Sequence, residues 1–351
     1  MAFEFIGTGR AVPSRKVSNS ELAAQINTSD EWIRSHTGIG NRYIAGEDCA
    51  CSDLALEAAK NALAMAAGFN GNNETDTAER DRAAAEMAEK LDVIVLTTAS
   101  ADFVGCPSTA CVVQGRLGAK KAAAMDLAAG CTGFVYSVET AAGLLNIRPE
   151  RTHALVIGSE VLSKITNWED RGTCVLLGDG AGAAVIEKTG APSEGNGKRG
   201  LLRTVLYADG TGWDTLIIRR GGTRYPIKKG EVVNEPIQVE MKGQEVYSFA
   251  VKAAAEIVNT LLKAEGISID DLAWIVPHQA NYRIIQGAAR YIGIPLEKFF
   301  INLEEYANTS AATIPIALDE MNRTGKINRG DLIMTVGFGG GLAYGGNLIV
   351  W

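Results

Sequence analysis

Apolar residues recur along the chain in two alternating rhythms. Residues 52–67 (SDLALEAAKNALAMAA) place apolar side chains every three or four positions, the period of one helix face, and LDVIVLTTAS at 91–100 is a short β-branched apolar run of the kind that forms a buried strand. The same order returns in the second half, where VYSFAVKAAAEIVNTLLKAEG at 246–266 predicts a helix and LAWIVPHQAN at 272–281 a strand. The two strands begin about half the chain apart. That spacing predicts a duplicated α/β arrangement, or else two ordinary units of a common type.

Two polar stretches interrupt this alternation. Residues 68–90 (GFNGNNETDTAERDRAAAEMAEK) read as an insertion, a solvated loop leading into a short surface helix, and GAPSEGNGKRG at 190–200 reads as a boundary between halves 1–189 and 200–351. With 351 residues the chain is long enough for two domains and a sizeable core, and 46% hydrophobic with 21% charged residues is ordinary for a folded enzyme. A net charge of −7 argues against a general nucleic-acid or membrane surface, since such surfaces cluster Lys and Arg. No apolar run approaches ~20 residues and the N-terminus has no charged region followed by an apolar one, so the expected location is cytoplasmic. Six cysteines all lie before residue 175, with no CxxC pair and no histidine at ligand spacing. Reduced thiols are expected, without zinc, and any special cysteine is more readily catalytic than disulfide-bonded.

The candidate nucleophile is Cys131, in MDLAAGCTGFVYSVETAAGLL. It follows a short strand and opens a helical pattern, where the helix dipole and free N–H groups stabilise a thiolate, although buried packing explains a lone cysteine as well. Cys111 reads as core in a helical run, Cys174 as a strand residue, and Cys49 and Cys51 as structural residues at a helix opening. Of three histidines, His278 stands just past an apolar strand in WIVPHQAN, where α/β folds present reactive groups, His153 enters a strand, and His36 lies in a polar loop. Asn308, in NTSAATIPIAL, reads locally as a helix cap. Gly339, Gly340 and Gly341 fit either a hairpin or a loop whose N–H groups meet a developing oxyanion. LLGDGAGAAVI at 176–186 lacks a full dinucleotide fingerprint.

Taken in order, IGTGRAVP, TSDEWIRSHTGI, PSTACVVQ, AAGCTGF, DRGTCVLLGDGAGAAV, VPHQAN, NTSAATIPIAL and GFGGG resemble the β-ketoacyl-acyl-carrier-protein synthase III family, the initiating condensing enzymes of type II fatty-acid synthesis. The resemblance covers nearly the whole chain. It implies a thiolase-like duplicated five-layered α/β/α/β/α fold, a homodimer, and a catalytic triad at Cys131, His278 and Asn308. Asparagine at 308 separates the chain from elongating synthases, which use a second histidine, and the lack of any cysteine after Cys174 separates it from thiolases. The implied substrates are acyl-CoA and malonyl-acyl-carrier protein, with no cofactor. The implied oxyanion hole is the N–H groups of Cys131 and Gly340.

The pantetheine and nucleotide arm maps by resemblance onto Thr28, Trp32, Arg171, Gly243 and Asn281, with adenine sandwiched between Trp32 and Arg171. Arg283 falls at a position associated with carrier-protein docking. Two departures stand out. The family has arginine at the position of His36, which puts a nucleotide contact there in question, and an aromatic residue where this chain has Cys106, which predicts an acyl pocket open to starters bulkier than acetyl. Within the same superfamily, an acyl-CoA condensing enzyme of a quinolone, polyketide or long-chain ketone pathway is the alternative. A non-catalytic acyl-binding module would have lost a member of the triad.

Overall fold

The computed structural model describes residues 2–69, 77–190, 199–231 and 237–351. Two sheets organise it. The first runs in the order Ala2–Ala11, Gly180–Thr189, His153–Glu160, Val93–Thr97 and Ala123–Leu127, with the last three parallel and the first two joined antiparallel. The second runs Trp274–Pro277, Leu332–Gly339, Ala343–Val350 and Gly200–Ala208, parallel only in its first pair.

Strand side chains point alternately to opposite faces, and here both faces are apolar because helices cover both. Ile94, Leu96, Leu155 and Ile157 pack outward against the helix Cys51–Ala66, while Val93, Val95, Ala154 and Val156 point inward to the helix Gly133–Ile147. The second sheet mirrors this. Val276, Ile333 and Ile349 face the shared inner layer with the helix Thr313–Arg323, and Ile275, Met334 and Leu348 face the outer helices Gly243–Glu265 and Tyr282–Ile292. The layers therefore run helix, sheet, helices, sheet, helices, the α/β/α/β/α fold implied by the resemblance.

Small residues make the layers fit. A Cβ on Gly158 would lie 2.4 Å from the Ala311 carbonyl oxygen, and one on Gly182 would lie 2.6 Å from the Ile316 nitrogen, so the inner helix and the turn before it touch the strands through backbone. That contact draws the segment around Ser310 down onto the first sheet.

Several local expectations need correction. His36 belongs to the last turn of the helix Asp30–Thr37 and not to a polar loop, because Ser29 caps that helix and Gly38, at φ 77°, ends it only after Thr37. Cys174 closes the short helix Arg171–Cys174, begun by Asp170, and is not in a strand. Cys111 lies in a helix as expected, yet it is exposed and not core. In the 68–90 insertion, residues 70–76 lie outside the described residues, and the helix Thr77–Ala88 is more than a surface feature since Ala84, Met87 and Ala88 are buried against Cys51–Ala66. Most of the boundary stretch, 191–198, also lies outside the described residues.

Candidate active site

Cys131, His278 and Asn308 come from three separate elements. Cys131 sits in the turn Gly130–Thr132 that leads into the inner helix Gly133–Ile147, His278 follows the strand Trp274–Pro277, and Asn308 precedes the turn Ser310–Ala312. They meet where two cavities join. One, about 490 Å³, is walled mainly by apolar groups, among them Leu162, Leu176, Leu216, Ile218 and Met241. The other, about 320 Å³, is lined by Trp32, His36, Arg171, Gly243, Asn281 and Arg283, and reaches His278. Cys131 and Asn308 line both.

The backbone around Cys131 is constrained on one side by glycine. Gly130 has φ 51°, a left-handed value that favours glycine, and a Cβ there would lie 3.0 Å from the Gly340 nitrogen. A Cβ on Gly339 would lie 2.6 Å from the Cys131 nitrogen. The amides of Cys131 and Gly340 are thereby held side by side.

Burial governs the electrostatics. It pushes the Cys131 thiol up to about 11, opposed by hydrogen bonding from the Ser310 side chain and reinforced by the Glu160 carboxylate. The expectation that the helix end alone would favour a thiolate is thus corrected, because desolvation outweighs it. Burial likewise lowers His278 to about 3, so the ring is neutral near pH 7.

Hydrogen bonds set the orientation of both partners. Asn308 Oδ1 accepts from the Ser310 N–H at 2.8 Å, which leaves the Asn308 amide nitrogen for another acceptor. His278 Nδ1 lies 2.7 Å from Thr313 Oγ1, which in turn reaches the Ser310 carbonyl at 2.9 Å. The Thr313 hydroxyl has one hydrogen. When it points to the Ser310 carbonyl, Nδ1 donates and Nε2 is bare; when it turns to Nδ1, Nε2 carries the proton and can donate.

The remaining expected residues divide. Trp32, Arg171, Gly243, Asn281 and Arg283 share the smaller cavity. Arg171 lies directly over the Trp32 ring, 4.4 Å from its centroid, and His36 stacks on Trp32 at 4.2 Å. The expected sandwich is therefore closed, since an adenine between Trp32 and Arg171 needs about 7 Å, twice an ordinary ~3.5 Å contact. Asn281 also caps the helix Tyr282–Ile292 through the Arg283 N–H at 2.8 Å, and the Arg283 guanidinium reaches the Ser35 carbonyl at 3.1 Å. Thr28 lines neither cavity, and its hydroxyl is buried without a partner. Cys106 is exposed and lies off both cavities of its own chain.

Three residues at the site escaped the reading of the sequence. Glu160 ends an apolar strand and is fully buried, Ser310 holds φ 47° beside the triad, and Thr313 orients His278. An acid closing the apolar run HALVIGSE was the available signal for the first. For Ser310 and Thr313 the NTSAAT motif was visible, but their partners are distant in sequence.

Comparison with known proteins gives the family. The models named 3-oxoacyl-[acyl-carrier-protein (ACP)] synthase III and its C-terminal region match residues 125–210 and 262–351. A β-ketoacyl-[acyl-carrier-protein] synthase III of Clostridium acetobutylicum is 43% identical over 99% of this chain and 98% of its own. The chain belongs to the β-ketoacyl-[acyl-carrier-protein] synthase III family. It is an acyltransferase, and its reaction is the initiating condensation of fatty-acid synthesis.

Other synthase III relatives extend the match. The Syntrophomonas wolfei protein is 42% identical over 100% of this chain and 98% of its own, and the crystal structure from Aquifex aeolicus superposes with a TM-score of 0.83 at 38% identity, covering 99% of this chain and 100% of that one. Xanthomonas campestris OleA matches at TM-score 0.80 but only 19% identity, covering 100% of this chain and 99% of that one, a likeness of fold alone.

Proposed function

We propose that Cys131 takes a starter acyl group from acyl-CoA and passes it to malonyl-acyl-carrier protein, giving 3-oxoacyl-acyl-carrier protein, CoA and CO2. The observation that carries this reading is the meeting of two cavities at one thiol. The apolar cavity suits an acyl chain, and the smaller one suits a pantetheine arm.

In the first half-reaction the Cys131 sulfur attacks the thioester carbonyl and CoA leaves as its thiol. Malonyl-acyl-carrier protein then enters through the smaller cavity and loses CO2. A neutral His278 with its proton on Nε2, together with the Asn308 amide, donates to the thioester oxygen as enolate charge develops. The carbanion attacks the acyl-cysteine, and the amides of Cys131 and Gly340 hold the resulting oxyanion. Uptake of one proton restores the Cys131 thiol, so the cycle balances without a cofactor.

Arg283 at the mouth of the smaller cavity would meet the acidic carrier protein. Trp32, Arg171, Gly243 and Asn281 would hold the CoA arm, with Arg171 lifting from Trp32 to admit adenine. A homodimer is supported by the exposed apolar pair Phe103 and Val104, which lies beside Cys106 and would let that side chain reach a partner's acyl pocket.

The test is a two-step labelling experiment. Radiolabelled acyl-CoA should place label on Cys131, and added malonyl-acyl-carrier protein should move it into a ketoacyl product. Label that stays on the protein would sink the condensing role, and label absent from Cys131 would remove it as the acyl carrier.

A further inference from the structure

The apolar cavity beyond Cys131 owes one wall to a small ribbon. Leu216–Ile218 and Val239–Met241 pair antiparallel, apart from both main sheets, with Met241 opposite Leu216 and Val239 opposite Ile218. Side chains two apart on a strand share a face, and so do residues directly opposed across a ladder. Leu216, Ile218, Val239 and Met241 therefore make one continuous apolar face, and all four line the cavity. Glu240 stands on the reverse face, ion-paired to Arg219 at 2.8 Å.

The ribbon has a direction. Leu216 and Met241 border both cavities, as Cys131 does, whereas Ile218 and Val239 border only the apolar one. Two residues of strand advance about 7 Å, so the apolar face leads away from the junction by roughly that distance. All four side chains are only half-buried. A hydrocarbon chain lying along them would complete their burial, and each methylene added to it would strengthen binding by up to about fourfold.

The side chains around that far part offer nothing to a charged end group. No Asp, Glu, Lys, Arg or His is among the described residues that line the cavity. Two hydroxyls are, and both have given their hydrogens away: Tyr136 donates to the Tyr207 carbonyl at 2.7 Å and Thr173 to the Asp170 carboxylate at 2.8 Å. The other polar side chains of the lining, Asn308 and Ser310, belong to the end that holds the triad. A carboxylate carried into the cavity would lose its water and find no side-chain donor.

We propose that this ribbon selects the starter, an unsubstituted straight acyl chain of roughly six to ten carbons laid along Leu216, Ile218, Val239 and Met241. This rests on the reading of Cys131 as the acyl carrier. An extended hydrocarbon needs roughly five or six carbons to cover the ~7 Å of the ribbon. The cavity of about 490 Å³ has room for more, since a group the size of a water molecule or a methylene takes roughly 30 Å³. An acetyl group would leave most of that wall bare. The expectation drawn from Cys106 concerns a side chain that a partner would supply, whereas the ribbon belongs to the same chain as the nucleophile.

The test is label transfer to Cys131 from a series of straight-chain acyl-CoA thioesters. In the parent protein kcat/KM should rise about twofold to fourfold with each added methylene, leaving octanoyl about fiftyfold or more above acetyl. The same eight-carbon chain ending in a carboxylate should be about a hundredfold poorer than octanoyl. Val239→Trp, which fills the far end of the ribbon, should cut the octanoyl-to-acetyl ratio about tenfold or more. Ile218→Ala empties that end instead, should move the best substrate to a longer chain, and carries the test should Val239→Trp not fold. Acetyl preferred to octanoyl, equal use of the carboxylate-ended chain, or a length preference unchanged in both variants overturns the proposal. Failure of every acyl-CoA to label Cys131 removes the underlying reading instead.

Discussion

His278 is a neutral ring by burial, and that has a cost in acid. An exposed imidazole protonates near 6.5 and this one near 3. Above pH 6.5 neither folded nor unfolded chain carries the proton; below it only the unfolded chain takes it up, so stability falls by ~1.4 kcal/mol per unit as pH drops towards 3. Replacing His278 by Gln should shrink the stability lost between pH 7 and 5 by roughly 2 kcal/mol. Urea unfolding at the two pH values measures this, and equal losses would contradict a buried neutral ring. Thr313→Val removes the hydroxyl that lets Nδ1 accept, and should slow malonyl decarboxylation roughly tenfold to a hundredfold while changing acylation of Cys131 much less. Separate assays of the two half-reactions check the split.

At the scale of elements, closeness of backbone matters more than side-chain chemistry. An added methyl group on Gly339 would press on the Cys131 amide and Cβ, at 2.6 and 2.8 Å, while its extended φ of −178° suits any residue. Gly339→Ala is therefore expected to fold, with an unchanged far-ultraviolet spectrum, and to lose about a hundredfold in condensation rate by displacing the nucleophile. Wild-type turnover in that variant would mean the loop can retreat at no cost.

This is also the scale at which the sequence was most legible. The helix at 52–67 and the strands at 91–100 and 272–281 could be read from apolar period alone, since burial on one or both faces dictates that period. Local patterning misled where caps decide the structure: Ser29 starts a helix that carries His36 through a polar stretch, and Asp170 starts one that takes Cys174 out of an apparently strand-like apolar run. Cys131, His278 and Asn308 were each ambiguous in isolation, and their ordered motifs brought them together. Glu160 stayed hidden because its burial and its partners Thr98, Ala99 and Ser100 come from a turn about 60 residues earlier in the chain. The closure of Arg171 onto Trp32 is likewise a contact between separate elements, beyond reach of either motif, whereas His36 stacks on Trp32 one turn away in the same helix.

Across the whole molecule, an acidic enzyme must receive an acidic carrier protein, so recognition falls to local cations. Arg283→Glu should raise KM for malonyl-acyl-carrier protein by about tenfold, more than for acyl-CoA, with the difference shrinking as salt screens the encounter. Initial rates at low and high ionic strength test it.

The junction of the cavities at Cys131 also has a kinetic signature. If both thioesters come to the sulfur by way of the smaller cavity, they cannot be there together. The enzyme is then a single doorway with two visitors, and the first must leave before the second arrives. Double-reciprocal plots should give parallel lines, and excess acyl-CoA should inhibit by queueing in the place of malonyl-acyl-carrier protein. Traffic at the entrance, as much as chemistry at the sulfur, would then govern how fast chains are begun.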